Sequence, residues 1–385
     1  MTGSRNSPAL WVICGTMAAA FTTHSMVAPL VPLLGFELGA SPGLVGVLVS
    51  AGALLPLFFA IPTGGVVDRF GPKRPIILGA IGLALAPVAV AMWPSLLALG
   101  FSQLFVGLFH LVLVVAAQTY VASLGSGKLH EVNFGWYTTF LSVGQLIGPV
   151  LAGFIADSLG FVAAFAAAGA VAVVAVVLSP LIRKSETTGG TDRGRLLDLR
   201  ILTALPRTPG VKVAMVVSAS VIFALSIHQA FFPVYLDLLE YPATVIGALI
   251  SARALASVII RPFMPRIVSL LTGRSRSFLA TLLAAGASLM LTGVSITLTP
   301  LALASVLLGI GLGVALPLSM VSIVDHVKHE HRGVALGLRL TGNYAALVVG
   351  PLLLGLVAEL AGLRSTFILG SLLLAPACVL LLRWR

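Results

Sequence analysis

The chain has 385 residues, of which 58% are hydrophobic and only 9% charged, and its mean hydropathy is +1.10. That leaves too little polar surface to solvate a water-soluble globule of this size, so the composition excludes one and points to a bilayer. The formal net charge of +11 would suggest a nucleic-acid partner in a soluble protein; in so apolar a chain, Lys and Arg instead mark the loops that stay on the cytoplasmic side.

A spanning helix needs about 20 mainly apolar residues. Twelve such stretches are predicted, at 9–35, 43–66, 75–92, 95–123, 134–157, 161–182, 213–236, 243–262, 277–297, 301–324, 333–358 and 362–382, six in each half. The first is too long, and lacks the small-residue cleavage site, for a removable signal peptide. Arg5, the cluster Arg69/Lys73/Arg74, Lys128, the run from Arg183 to Lys212, Arg266/Arg274/Arg276, Lys328/Arg332 and Arg383/Arg385 fall on alternate connections. The opposite loops hold Glu37, Asp157, Asp237, Glu240 and Glu359, with Arg364 the exception. A multi-pass protein of the cytoplasmic membrane with both termini cytoplasmic is therefore expected. Cys14 and Cys378 lie inside spans, where a disulfide is not expected. The one long polar segment, 183–212, is read as a cytoplasmic linker between an N-terminal six-helix bundle (1–182) and a C-terminal one (213–385). Its mixed stretch from Leu196 to Leu205 reads as a short surface helix, and whether the segment only tethers or also regulates stays open.

The halves repeat each other. Phe134 to Ala166 and Leu336 to Ile368 align without a gap at an offset of 202, so that Gly135, Thr139, Gly148-Pro149, Gly153, Ala156, Gly160 and Phe165 recur as Gly337, Thr341, Gly350-Pro351, Gly355, Ala358, Gly362 and Phe367, and Asp157 corresponds to Glu359. At an offset of 201, Gly46, Ser50, Ala51, Ala53 and Leu54 recur as Gly247, Ser251, Ala252, Ala254 and Leu255, while Gly52 becomes Arg253. Apolar duplicated halves are the signature of a secondary transporter.

Gly64-Gly65-Val66-Val67-Asp68-Arg69-Phe70-Gly71-Pro72-Lys73-Arg74, between spans 2 and 3, resembles the signature loop of the major facilitator superfamily, with Pro72 where a basic residue is usual. The glycines are expected to permit close helix approach and a tight turn, and the basic residues to hold the loop at an anionic leaflet. The resemblance implies that Asp68, with Arg69, serves a cytoplasmic gate. Gly135-x8-Gly144-x3-Gly148-Pro149-x2-Ala152-Gly153 in span 5 resembles the family's antiporter motif, which is associated with exporters. Where relatives usually carry an arginine in span 4, this chain has Gln103-Leu104-Phe105-Val106-Gly107, a departure that puts the usual proton-coupling route in doubt.

No Asp or Glu lies deep within a span, so His24, His110 and His228 are the titratable candidates for carrying a proton; each is otherwise a packing residue. Polar stripes at helical spacing place Gln103, His110 and Gln118 on span 4, Gln229 beside His228 on span 7, Arg253 on span 8, and Arg339 and Asn343 on span 11 as cavity candidates. Two second-half arginines without embedded acids suggest a ligand with a negative group, though each also serves as a helix cap or water bridge in the alternative reading. Asp325-His326-x2-His329-Glu330-His331 lacks strong metal spacing and reads as a solvated helix end. With no G-x-S-x-G or Walker loop either, the sequence supports no enzyme, no metal and no cofactor.

These readings combine into an all-α integral membrane protein of twelve helices in two pseudo-symmetric bundles, resembling the drug/proton antiporters of the major facilitator superfamily. The resemblance implies a monomer in the lipid bilayer that moves small molecules by alternating access with protons as coupling ion. Efflux of small amphiphilic compounds or drugs, anionic ones included, is the leading expectation; uptake of an organic anion and translocation of a lipid or lipid precursor are the alternatives.

Overall fold

A computed structural model of the chain describes residues 8–125, 127–183, 208–328 and 331–383. Most of the linker, with the stretch Leu196 to Leu205, lies outside the described residues, as do Arg5, His329, Glu330 and Arg385. The helices are α1 (Pro8–Glu37), α2 (Pro42–Phe70), α3 (Lys73–Met92), α4 (Leu96–Ser123), α5 (Lys128–Leu159), α6 (Phe161–Leu178), α7 (Pro209–Leu238), α8a (Ala243–Ile260), α8b (Met264–Leu270), α9 (Arg274–Val294), α10 (Leu298–His326), α11 (Arg332–Ala361), α12a (Leu363–Leu372) and α12b (Ala375–Arg383). Counting each a/b pair as one span, twelve among the described residues are long and apolar enough to cross a membrane. At 1.5 Å per residue even the 20-residue α3 reaches about 30 Å, the thickness of the hydrocarbon core.

Two spans are interrupted, and proline explains both. The sequence places the end of span 8 at Pro262, but the chain makes a 3-10 turn over Arg261–Phe263 and continues as α8b. Pro262 and Pro265 cannot donate to the carbonyls four residues back, so the register tightens without ending the span. In span 12 the break between α12a and α12b falls where the ring of Pro376 would clash with the carbonyl of Leu372. Several helices outrun their predicted limits; α5 starts at Lys128, six residues before 134.

Side chains such as Phe58, Leu78, Leu85 and Leu97 are 62–69% exposed. Exposed apolar surface on this scale is intolerable in water and natural in lipid.

The chain divides into two compact units: unit 1 comprises Met1–Leu38, Ala51–Thr191 and Tyr241–Ser251, and unit 2 comprises Gly39–Ser50, Asp192–Glu240 and Ala252–Arg385. Within unit 1, α1 packs on α5, α6 and α4, and α3 packs on α4 and α6. Unit 2 repeats the scheme, with α7 on α11 and α10, and α9 on α10 and α12a. The duplication in sequence is thus a duplication of packing. Gly160 and Gly362, equivalent by the repeat, take φ of +87° and +82° and turn α5 into α6 and α11 into α12a, a conformation that L side chains rarely adopt.

Candidate substrate, coupling and gating sites

The loop 64–74 lies in unit 1. Gly71 adopts φ +74° and makes the turn into α3. Pro72 caps that helix at φ −68°, a place where a missing N–H costs nothing, which accounts for the departure from the family pattern. Lys73 Nζ donates to the Pro180 carbonyl at 2.8 Å, and the Arg69 guanidinium sits 5.3 Å from the Phe70 ring centre. Asp68 is exposed on the last turn of α2, and Arg74 follows on the first turn of α3. The expected close helix approach is absent at Gly64 and Gly65, since a Cβ on either would meet open space.

The glycines of α5 behave differently. A Cβ on Gly144 would lie 2.8 Å from the Ala18 carbonyl oxygen, and one on Gly148 would lie 2.8 Å from that of Thr22, both on α1. A Cβ on Gly153 would lie 2.1 Å from the Ala243 oxygen, also in unit 1. Small residues let backbones touch, and van der Waals contact then replaces the hydrophobic drive that lipid removes. Gly135 faces open space. Pro149 sits inside the continuous helix α5, and Ala152, where the motif usually has a glycine, is fully buried.

Among the sequence candidates in unit 1, the structure brings His24 of α1 and His110 of α4 together. Their rings stack at 4.0 Å with planes 11° apart, and Phe21 meets the His110 ring edge-on at 4.7 Å. His24 Nδ1 and His110 Nε2 are buried and have no hydrogen-bond partner among the described residues. Gln103 is buried on the same helix as His110, and its Nε2 lies 3.4 Å from where a Cβ on Gly52 would be. Gln118, further along α4, is exposed.

In unit 2 the two arginines part company. Arg339 is 4% exposed, and its Nε donates to Ser319 Oγ at 2.8 Å and its Nη2 to the Leu316 carbonyl at 3.2 Å. Asn343, one turn on, accepts from Ser218 Oγ at 2.8 Å. Both residues tie α11 to its neighbours α10 and α7. Arg253 on α8a has a buried Nε with no partner among the described residues. Its backbone meets α10 at Gly309, where a Cβ would lie 2.2 Å from the Arg253 oxygen, one helical turn from Ser305, the residue that His228 of α7 touches. His228 Nε2 is 3.4 Å from Ser305 Oγ of α10, its Nδ1 has no partner among the described residues, and its ring stacks on Phe232 at 4.1 Å. Gln229 is half-buried beside it.

The repeat accounts for this asymmetry. In unit 1 a Cβ on Gly107 would lie 1.8 Å from the Gly52 oxygen, and in unit 2 a Cβ on Gly309 would lie 2.2 Å from the Arg253 oxygen. The two helix crossings correspond, and the residue matching Gln103 at the offset of 202 is Ser305. Gly52 faces a long amide where Arg253 corresponds to a short hydroxyl.

Asp157 and Glu359 match in the repeat, and their work is visible only in their partners. Within unit 1, Asp157 accepts from Ala243 N at 2.8 Å, Thr244 N at 2.8 Å and Thr244 Oγ1 at 2.6 Å, capping the start of α8a. Within unit 2, Glu359 accepts from Ser41 Oγ at 2.7 Å and Gly43 N at 2.9 Å, capping the start of α2. A carboxylate at a helix N-terminus satisfies orphan N–H groups and the positive end of the dipole. Arg364 does the converse: its Nε and Nη2 donate to the Gly293 and Val294 carbonyls at 3.0 and 3.1 Å, closing the C-terminus of α9, which gives this basic residue a local reason to stand among acidic loops. Asp325 pairs with Arg274 at 2.6 Å, and His326 Nδ1 donates to the Ser322 carbonyl.

A groove of about 620 Å³ runs between α3 and α4 in unit 1, walled by Leu78, Leu85, Trp93, Phe101 and Phe105, and Ser102 is its one hydroxyl. It contains none of the polar candidates.

The sequence profile of the Major Facilitator Superfamily matches residues 13–297 and 214–385. Multidrug resistance protein 2 of Bacillus subtilis (strain 168) is 26% identical over 257 residues, covering 65% of this chain and 64% of that protein. The quinolone resistance protein NorA of Staphylococcus aureus (strain MRSA252) is 23% identical over 229 residues, covering 59% and 58%. The chain thus matches less than two thirds of the length of these relatives. Among solved structures, one of the nucleoside transporter NupG superposes with a TM-score of 0.84 at 13% identity over 98% of this chain and 99% of that one. A bacterial homologue of the human lysosomal transporter Spinster gives 0.78 at 16% identity over 100% and 97%. These likenesses establish the fold. With the profile matched along nearly its whole length and twelve apolar helices in a duplicated packing scheme, the chain belongs to the major facilitator superfamily of membrane transporters.

Proposed function

We propose that the protein is a secondary transporter that exports small amphiphilic compounds, drugs among them, by alternating access in exchange for protons. The observation that carries this reading is the α5 motif, whose Gly144 and Gly148 lie against the α1 backbone where no Cβ fits; this is the motif associated with exporters. The relatives, multidrug and quinolone resistance proteins by name, support the same direction. The stacked pair His24 and His110 is the coupling candidate, because imidazole titrates near neutral pH and the spans carry no deep carboxylate. The charge asymmetry of the connections supports a place in the cytoplasmic membrane with both termini cytoplasmic, and the family resemblance supports a monomer.

The test is flux in inverted vesicles whose lumen has been acidified, so that protons run outward as substrate is carried in. Accumulation of a fluorescent amphiphile inside, with substrate-dependent dissipation of the gradient, is the expected result. Accumulation in right-side-out vesicles alone would instead make the protein an importer. A lipid translocator is the second reading, favoured by the apolar groove between α3 and α4; it predicts protein-dependent exchange of a labelled lipid between leaflets and no uphill transport of the dye.

A further inference from the structure

We infer that Arg253 and His228 form an anion-binding site in unit 2, and that the compounds the protein moves through it carry a carboxylate on an apolar body. This deepens the export reading and rests on it.

Arg253 lies ten residues into α8a, about 15 Å along the helix axis at 1.5 Å per residue, and so in the middle of the span. Its Nε is buried and has no partner among the described residues. A guanidinium does not shed its proton at this depth, so it needs a counter-charge or ordered polar partners. The described residues offer no counter-charge. Glu37, Asp68, Glu131, Asp157, Asp237, Asp325 and Glu359 all stand in the first or last turns of their helices, and Glu240 stands in a loop. Asp325 is engaged by Arg274, and Asp157 and Glu359 by helix N-termini.

Arg339 is the internal control. It too stands in a span without an acid, and is more deeply buried than the half-buried Arg253, yet its Nε and Nη2 are met by Ser319 Oγ and the Leu316 carbonyl. Arg339 is held by the protein; Arg253 has its Nε edge free for a ligand. Nε and one terminal nitrogen form the parallel pair of donors that fits a carboxylate edge-on.

His228 supplies a further donor. Nε2 faces Ser305 Oγ, which can donate to it, and Nδ1 is left without a partner among the described residues; the tautomer with its proton on Nδ1 is the one that serves an anion, and the inferred site takes that tautomer. The stack on Phe232 fixes the ring. A cation and a neutral donor, with no base or acid opposing them, select an anion and reject an amine.

The experiment uses the purified full chain in detergent, with 4-phenylbutyrate, its methyl ester and 4-phenylbutylamine as matched probes, and thermal unfolding as the readout. Phenylbutyrate should raise the melting temperature in a concentration-dependent way, while the ester and amine should not. Sodium chloride and inorganic phosphate at equal ionic strength separate a carboxylate site from a generic anion site, and stabilisation by either equal to that by phenylbutyrate would overturn the assignment to carboxylates. Arg253→Met should abolish the ligand-induced shift and raise the melting temperature of the ligand-free protein, because an unpaired buried charge is removed. Arg339→Met should lower the ligand-free melting temperature, because it strips partners from Ser319 and Leu316. A shift retained in Arg253→Met, or an ester as effective as the acid, overturns the site. Flux in inverted vesicles keeps the two readings apart: an ester exported as fast as the acid sinks the anion site and leaves export standing, whereas a carboxylate bound through Arg253 but never moved sinks export and leaves the site.

Discussion

Replacing Asp157 tests whether the carboxylate caps are structural bonds or incidental contacts. Its two oxygens accept three hydrogen bonds, from Ala243 N, Thr244 N and Thr244 Oγ1, at 2.6–2.8 Å. Losing a helix N-cap costs about 0.5–2 kcal/mol, and the loss of charge at the dipole adds about 0.3–1 kcal/mol. Asp157 is exposed and Thr244 half-buried, so water recovers part of that loss. Asp157→Ala should therefore destabilise the protein by about 2 kcal/mol, and Asp157→Asn, which keeps one acceptor oxygen but no charge, by about 1 kcal/mol. Equilibrium unfolding of detergent-solubilised protein, followed by helical circular dichroism, gives the ranking wild type, Asn, Ala. Glu359→Gln should cost about 1 kcal/mol on the same grounds, and since its contacts lie in the other unit the double variant should be additive. An Asp157→Ala protein as stable as wild type, or Asn falling below Ala, would refute the capping argument.

Gly107→Ala places a Cβ 1.8 Å from the Gly52 oxygen and should cost at least about 1–3 kcal/mol by overpacking; Gly64→Ala, which meets nothing, should be neutral or mildly stabilising, and thermal melts of the two compare them directly. Arg364→Ala uncovers the last carbonyls of α9 and should cost about 1 kcal/mol by chemical unfolding. Arg274→Ala should change stability by less than about 1 kcal/mol, because the Arg274–Asp325 pair is 40% and 47% exposed; a larger loss would mean the pair is shielded. His24→Phe and His110→Phe keep a stacked aromatic pair, so both proteins should fold and bind amphiphiles while substrate-induced proton movement in vesicles is lost; unimpaired proton movement in both would remove the pair from coupling.

The twelve spans were legible because lipid enforces one rule, about 20 apolar residues with every backbone group satisfied internally, and the duplication was legible because glycines at backbone contacts resist change. What escaped was geometry that depends on partners distant in sequence. Arg253 and Arg339 look alike as letters, each a cation at mid-span without an acid. Only the positions of Ser319 and the Leu316 carbonyl distinguish a satisfied arginine from a free one. His24 and His110 are 86 residues apart, so nothing in the pattern announced that their rings would stack. Asp157 and Glu359 could have been read: each precedes the glycine that ends its helix by three residues, at matching positions of the repeat. Their helix-start partners, however, come from other segments. At the signature loop the family pattern led to an expectation of close packing that Gly64 and Gly65 do not show.

The exchange of Gly52 and Gln103 for Arg253 and Ser305 constrains the history of the chain. In the first half, any side chain longer than a methyl at position 52 grows toward the Gln103 amide, 3.4 Å away from the first carbon. In the second half that obstacle is a serine. If the ancestral repeat resembled the first half, shrinking the amide made room beside this crossing, and the arginine and the serine are expected to have been acquired as a pair. The two halves are therefore not interchangeable modules at this crossing. Moving the charge from one half to the other is expected to call for a coordinated pair of substitutions, at positions 52 and 103 in one half and 253 and 305 in the other.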